Sequence, residues 1–162
     1  MKKLIFLLVF CISCLFYQST NAQISFRLNI SSQPIWGPVG YDHVEYYYLP
    51  DIDVYYSVPM HRYIYMERGH WVTRTYLPVR YKNYNLYNAR KIVINEPKPY
   101  LRHNEYKSKY AKSNEHLNQI SIRDSHDSKY FEIKNHPEHS KWNNGRNNRG
   151  QDKKQSNERE RH

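Results

Sequence analysis

"EYYYLPDIDVYYSVPMHRYIYMERGHWVTRTYL" (Glu45–Leu77) is the stretch whose reading decides the fold. Its first 28 residues hold seven tyrosines and a tryptophan. Asp51 to Val58 alternates, with Ile52, Val54, Tyr56 and Val58 facing one way and Asp51, Asp53, Tyr55 and Ser57 the other. A two-residue period of this kind belongs to a β-strand. Arg62 to Met66 repeats it, setting Ile64 and Met66 opposite Tyr63 and Tyr65. Arg68-Gly69 supplies a tight turn, because glycine takes positive φ without a steric penalty. Trp71 to Leu77 then forms the returning strand. The expectation is an antiparallel meander of Asp51–Val58, Arg62–Met66 and Trp71–Leu77.

Outward from this centre, Tyr46–Leu49 reads as a further short strand. Pro50 limits it to a sheet edge or to a bent extension of the next strand. Gln23 to Ile30 alternates strictly and predicts another strand, followed by a connector broken by Pro34, Gly37, Pro38 and Gly40. "KIVIN" (Lys91–Asn95) is a last apolar segment. Tyr100 to Lys112 predicts a short helix, with Pro99 at its start and Leu101, Tyr106 and Tyr110 roughly on one side.

Composition changes near Arg102. Residues 23–102 are rich in Tyr, Val, Ile and Leu, whereas 103–162 are rich in Asn, Ser, Lys, Arg, His and Glu. The end of the chain has too little apolar surface to offset chain entropy, so 103–162 is expected to be a largely disordered polar tail, with transient local order over Ile120–Ser140, where a few hydrophobes occur. The fold class expected is mainly β: a small antiparallel meander in residues 23–102, with a short helix near 100–112 and a disordered C-terminal tail.

Residues 1–22 read as a secretory signal. Lys2 and Lys3 precede the apolar stretch Leu4–Phe16, and Thr20-Asn21-Ala22 offers small residues for cleavage before Gln23. The apolar stretch would reach about 20 Å as a helix, short of a roughly 30 Å hydrocarbon core, so no transmembrane span is expected after cleavage. Export to the periplasm or cell surface follows, with lipid attachment at Cys14 as a minor alternative. Both cysteines, Cys11 and Cys14, lie within the signal. The remaining chain therefore has no disulfide, thiolate metal site or cysteine nucleophile.

The formal charge of +10 favours anionic partners, and the partners expected are an anionic envelope polymer, a glycan or an envelope protein. It also serves solubility. Residues 103–162 interleave 13 Lys and Arg with nine Asp and Glu, which argues against a dedicated nucleic-acid arm. A row of rings and cations on one sheet face, Tyr55, Tyr63, Tyr65, Arg62 and Arg74, is the candidate binding site, since flat rings stack sugars or bases. The same rings can instead be covered by neighbouring chain and form core.

Catalytic signals are weak, and a non-catalytic protein is expected. Asp51 and Asp53 share a face of the expected strand, about 6.7 Å apart by strand rise, but no nucleophile motif or glycine-rich phosphate loop accompanies them. No cofactor is implied. His136 and His139, spaced i, i+3, are the alternative metal ligands, in a segment holding six of the nine histidines. A polar tail that merely contains histidines explains the same pattern.

"QPIWGPVGYDHVEYYYLPDIDVYYSVP", "YIYMERGHWV", "LPVRY" and "YNLYNARKIVINEPKPYLRH" together resemble a family of small exported proteins of unknown function from Bacteroidota-type bacteria. The likeness spans about Gln23 to Arg102, omits the tail and implies export with no activity attached. "LPVRYKNYNLYNARKIVINEPKPY" is also similar to small periplasmic proteins linked to nickel and cobalt homeostasis. The shared features are an LP-x-x-Y step and a later Pro-x-Pro/Gly-Tyr element, at a different spacing.

Overall fold

The computed structural model describes residues 29–111 and 119–146. The expected signal and most of the expected Gln23–Ile30 strand lie outside these residues. Where that strand would end, Ile30–Ser32 forms a 3-10 turn.

One five-stranded antiparallel sheet organises the molecule. Its strands are β1 (Tyr46–Leu49), β2 (Val54–Ser57), β3 (Arg62–Glu67), β4 (His70–Arg74) and β5 (Ile92–Ile94). Their order is β4-β3-β2-β1-β5. The meander predicted from periodicity is present as β2-β3-β4. Arg68 and Gly69 both have positive φ, 50° and 80°, the geometry that matches hairpin twist and closes the pair Glu67↔His70.

Three features differ from the expectation. The last strand of the meander is His70–Arg74, ending at Arg74 and not at Leu77. The second strand starts at Val54, not Asp51, because Asp53 turns the chain with φ 54°. Asp tolerates that left-handed geometry better than most residues. β1 is a central strand rather than an edge, paired with β2 on one side and β5 on the other. Pro50 is harmless there because it lies one residue past β1, in the turn, where no ladder donor is needed.

The register sorts side chains into two layers. Tyr46, Tyr48, Tyr55, Ile64, Trp71, Ile92 and Ile94 share one face. The 3-10 turn Pro99–Arg102 and helix α1 (His103–Tyr110) cover it through Tyr100, Tyr106 and Tyr110. The opposite face presents Tyr47, Leu49, Val54, Tyr56, Tyr63, Tyr65 and Val72. It is covered by Trp36, Tyr41 and Val44 from one segment and by residues 77–89 from another. Every residue of β1 and β2 is buried, because both faces are covered. Strands in that position read as continuous apolar runs without polar alternation.

Tyrosine suits such a core because its ring fills the layer while its hydroxyl reaches a partner in the covering segment. The Tyr47 hydroxyl donates to Gln33 Oε1 at 2.9 Å and the Tyr48 hydroxyl to Asp53 Oδ1 at 3.0 Å. The Tyr48 and Tyr55 rings stack at 4.7 Å. Lys91 is also buried, and its ammonium donates to the Leu86 and Tyr87 carbonyls at 2.8 and 3.1 Å. Burial pulls its pKa down to about 8.

The ordered part of the chain runs past the expected boundary at Arg102. Helix α1 falls where the sequence predicts one. Residues 119–146, expected within the polar tail, instead pack on the 30–42 segment and end in a second helix, α2 (139–146). Ile122, Tyr130 and Ile133 join Ile30 in a small core of their own. Ile122 N–H donates to the Gly37 carbonyl and Arg123 N–H to the Ile35 carbonyl, both at 2.8 Å. Three or four well-placed hydrophobes, tied by backbone bonds to another segment, suffice where average composition suggests none. Residues 147–162 lie outside the described residues.

Candidate functional site

The five residues expected to form one binding face are divided by the sheet. Tyr55 and Arg62 belong to the α1-covered face; Tyr63, Tyr65 and Arg74 belong to the other. Tyr55 and Tyr65 are buried and Tyr63 is half-buried between two core clusters. The ring row is therefore core and not a docking platform. The reason is register. Tyr55 pairs with Ile64, so the neighbouring Tyr63 and Tyr65 point the opposite way.

Asp51 and Asp53 are not a carboxylate pair on a strand face. Both lie in the β1–β2 turn, and they reach into different layers. Asp51 accepts from the Tyr84 hydroxyl at 3.0 Å and pairs with Arg90 at 3.2 Å, holding the 77–90 segment. Asp53 accepts from Tyr48 and from the Lys107 ammonium, and lies 3.6 Å from His103 Nε2, holding α1. One turn thus clasps both covering segments.

The Tyr55 hydroxyl meets His103 Nδ1 at 3.1 Å, and Asp53 lies near the other ring nitrogen at 3.6 Å, beyond hydrogen-bond reach, so the three groups only approach a hydroxyl–imidazole–carboxylate chain. They have the parts of a nucleophile relay and the wrong environment for one. Tyr55 has no exposed surface, and burial pushes its phenol well above the usual range. An activated nucleophile needs a lowered pKa and access to substrate. Burial also holds His103 below its ordinary value of 6.5, favouring the neutral ring.

His136 and His139 do not form a metal pair. His136 is buried, with Nε2 on the Ile122 carbonyl at 3.0 Å and Nδ1 accepting from Glu138 N–H at 3.0 Å. Both ring nitrogens are thus committed to the backbone. His139 Nδ1 meets the Phe131 carbonyl at 2.8 Å, and its ring stacks on Trp142. Among the described residues no group of three or more His, Cys, Asp or Glu is placed to hold a metal ion.

The surface feature with converging chemistry lies beside β4. An open groove of about 420 Å³ is lined by Tyr65, Met66, Glu67, Arg68, Arg74, Tyr76, Pro78, Val79 and Arg80. Three arginines, Arg68 from a hairpin turn, Arg74 from a strand and Arg80 from a 3-10 turn, border one space. Tyr76 and Val79 are 58% and 78% exposed. Arg74 reaches Glu67 at 3.4 Å and Arg80 lies over the Tyr81 ring at 4.9 Å. Two of the expected residues, Tyr65 and Arg74, belong to this groove, with Tyr65 as its floor. Arg68, Tyr76 and Arg80 are its unforeseen members. The sequence does carry a signal for them: Arg62, Arg68, Arg74 and Arg80 recur at every sixth position, with Glu67 the sole carboxylate from Met60 to Lys82.

A wider recess of about 590 Å³ lies at residues 128–146. It is bordered by two cations, Lys141 paired with Glu138 and Arg146 over the Trp142 ring, against three in the groove beside β4. No described helix is long and apolar enough to cross a membrane. No protein-family model, curated protein or solved structure matches this chain.

Proposed function

We propose that this is an exported, non-catalytic binding module of the cell envelope that docks an anionic partner in the groove beside β4. The supporting observation is the convergence of Arg68, Arg74 and Arg80 on one open, ring-flanked space. Guanidinium groups bind carboxylate and phosphate through paired N–H donors. A half-exposed tyrosine beside them adds a flat surface for an apolar or sugar portion of the ligand. The positive formal charge of the whole chain raises the rate of encounter with such a partner. Export rests on the N-terminal signal pattern and on the resemblance to small exported proteins.

Arg68 and Arg80 are exposed, so they can be reversed in charge without opening the core. The protein is expected to be retained on immobilised lipopolysaccharide and on polyglutamate at low salt, and released as salt screens the contacts. The double substitution Arg68→Glu with Arg80→Glu is expected to cut retention by about tenfold or more, for a loss of roughly 1.4 kcal/mol or more. The circular dichroism spectrum should not change. Undiminished retention of the double variant would remove the groove from the account.

A further inference from the structure

We infer that the outer edge of β4 is a strand-addition site for an extended peptide in which acidic and apolar residues alternate. The inference rests on the anionic-partner reading above and specifies its partner. Among the described residues β4 ends the sheet, and β3 is its only strand neighbour. In a two-residue hairpin the pair flanking the turn exchanges both backbone hydrogen bonds, and every second pair does the same. Glu67↔His70, Tyr65↔Val72 and Tyr63↔Arg74 are those pairs. The N–H and C=O groups of Trp71 and Thr73 therefore point away from β3, toward the side where another strand would lie. Of these outward groups the Thr73 carbonyl accepts from its neighbour Arg74 Nη1 at 3.3 Å, a long contact that an incoming strand would replace. The opposite side of the sheet is capped more fully. There, at the start of β5, the Gln119 side-chain amide bonds both the N–H and the C=O of Lys91, at 3.0 and 2.9 Å.

The two flanks of the β4 edge differ in chemistry. On the α1 side lies a cleft of about 310 Å³, with Met66, Trp71, Tyr100 and Leu101 along one part and the polar residues 102–105 along the other. Met66 and Leu101 are 44% and 66% exposed. On the other side lies the groove bordered by Arg68, Arg74 and Arg80. Side chains of an added strand alternate between the two flanks. One set would meet Met66, Trp71 and Leu101 and the other would meet the arginines, which is the pattern of an alternating apolar and acidic segment. Charge also argues against the chain's own ends as occupants. Residues 1–28 contain Lys2, Lys3 and Arg27 and no acid, and in 147–162 cations outnumber carboxylates. Another, acidic chain is the complementary occupant.

The test uses a labelled peptide, Ac-EVEVEVEV-amide, with fluorescence anisotropy and amide hydrogen exchange as readouts. Its comparators are the same composition in blocks, Ac-EEEEVVVV-amide, a backbone N-methylated form, and polyglutamate. The alternating peptide is expected to bind at least about tenfold more tightly than the block and N-methylated forms. It should also slow exchange at the Trp71 and Thr73 amides. Thr73→Pro, which removes an outward donor and leaves the β3 ladder intact, should weaken peptide binding and leave polyglutamate retention unchanged. If that variant does not fold, exchange at Trp71 and Thr73 in the unaltered protein decides. Equal binding of alternating and block peptides, or unchanged exchange at both amides, overturns strand addition. In that case Arg68- and Arg80-dependent retention of polyglutamate would leave the groove reading standing, whereas no acidic probe binding at all would overturn both.

Discussion

Tyr55→Ala is expected to destabilise the protein by about 3–5 kcal/mol, the range for deleting a large buried aromatic side chain. Tyr55 has no exposed surface. Its ring stacks on Tyr48 at 4.7 Å and meets Trp71 edge-on at 5.9 Å. Its hydroxyl ties the sheet to His103 on α1 at 3.1 Å. Removing it leaves a cavity between the sheet and its covering helix, and an imidazole that has lost a partner. A small domain has only about 5–15 kcal/mol in total, so the loss should be plain in urea unfolding followed by circular dichroism. Had Tyr55 been part of an exposed docking row, the same substitution would leave the unfolding midpoint within about 0.5 kcal/mol and reduce binding instead.

Gly37→Ala carries the second large effect. A Cβ at Gly37 would stand 2.7 Å from the Tyr47 hydroxyl and 3.0 Å from the Pro34 carbonyl oxygen. The carbonyl cannot retreat easily, since it accepts the Gly37 N–H at 2.8 Å in a tight turn. Nor can the hydroxyl, because Tyr47 is buried and donates to buried Gln33 at 2.9 Å. Overpacking together with a broken buried hydrogen bond should cost about 2–4 kcal/mol. Combining it with Tyr47→Phe removes the closest clashing atom. The double variant should therefore lose less than the two single losses added together, a coupling that urea unfolding of all four proteins would reveal. Strict additivity would mean that Gly37 acts by backbone freedom and not by close approach.

The meander was legible because alternation and turn chemistry agreed from Val54 to Arg74. Arg68-Gly69 left one way to close the hairpin, and that fixed the register of β3 against β4. What lies on each face of a strand was also legible; whether a face is covered was not. Tyrosine is the cause of this ambiguity. Its ring and hydroxyl suit a buried site with a polar partner as well as a wet one, and the partners of Tyr47 and Tyr55 come from residues 14 and 48 positions away. β1 was misplaced because Pro50 weighs against a central strand only when it stands inside the ladder. The 119–146 segment was expected to show transient order at most, because its few hydrophobes fold against residues 30–42, a pairing that local composition does not record. The groove beside β4 was half visible. Arg74 and Tyr65 stood out among aromatics, while Arg68 and Arg80 belong to turns whose convergence depends on the fold.

Ultraviolet titration of the phenol groups, run beside circular dichroism, tests most directly whether the tyrosines are interior. Burial raises Tyr47, Tyr48 and Tyr55 well above their ordinary value of 10.0, and Tyr63 to about 12. Above pH 10 the unfolded chain sheds phenolic protons that the folded chain keeps, so stability must fall as pH rises. The account predicts two populations: phenols that ionise while the fold persists, and a second group that ionises only together with the loss of the folded spectrum. A single population, with every tyrosine ionising near pH 10 while the folded spectrum is retained, would contradict it.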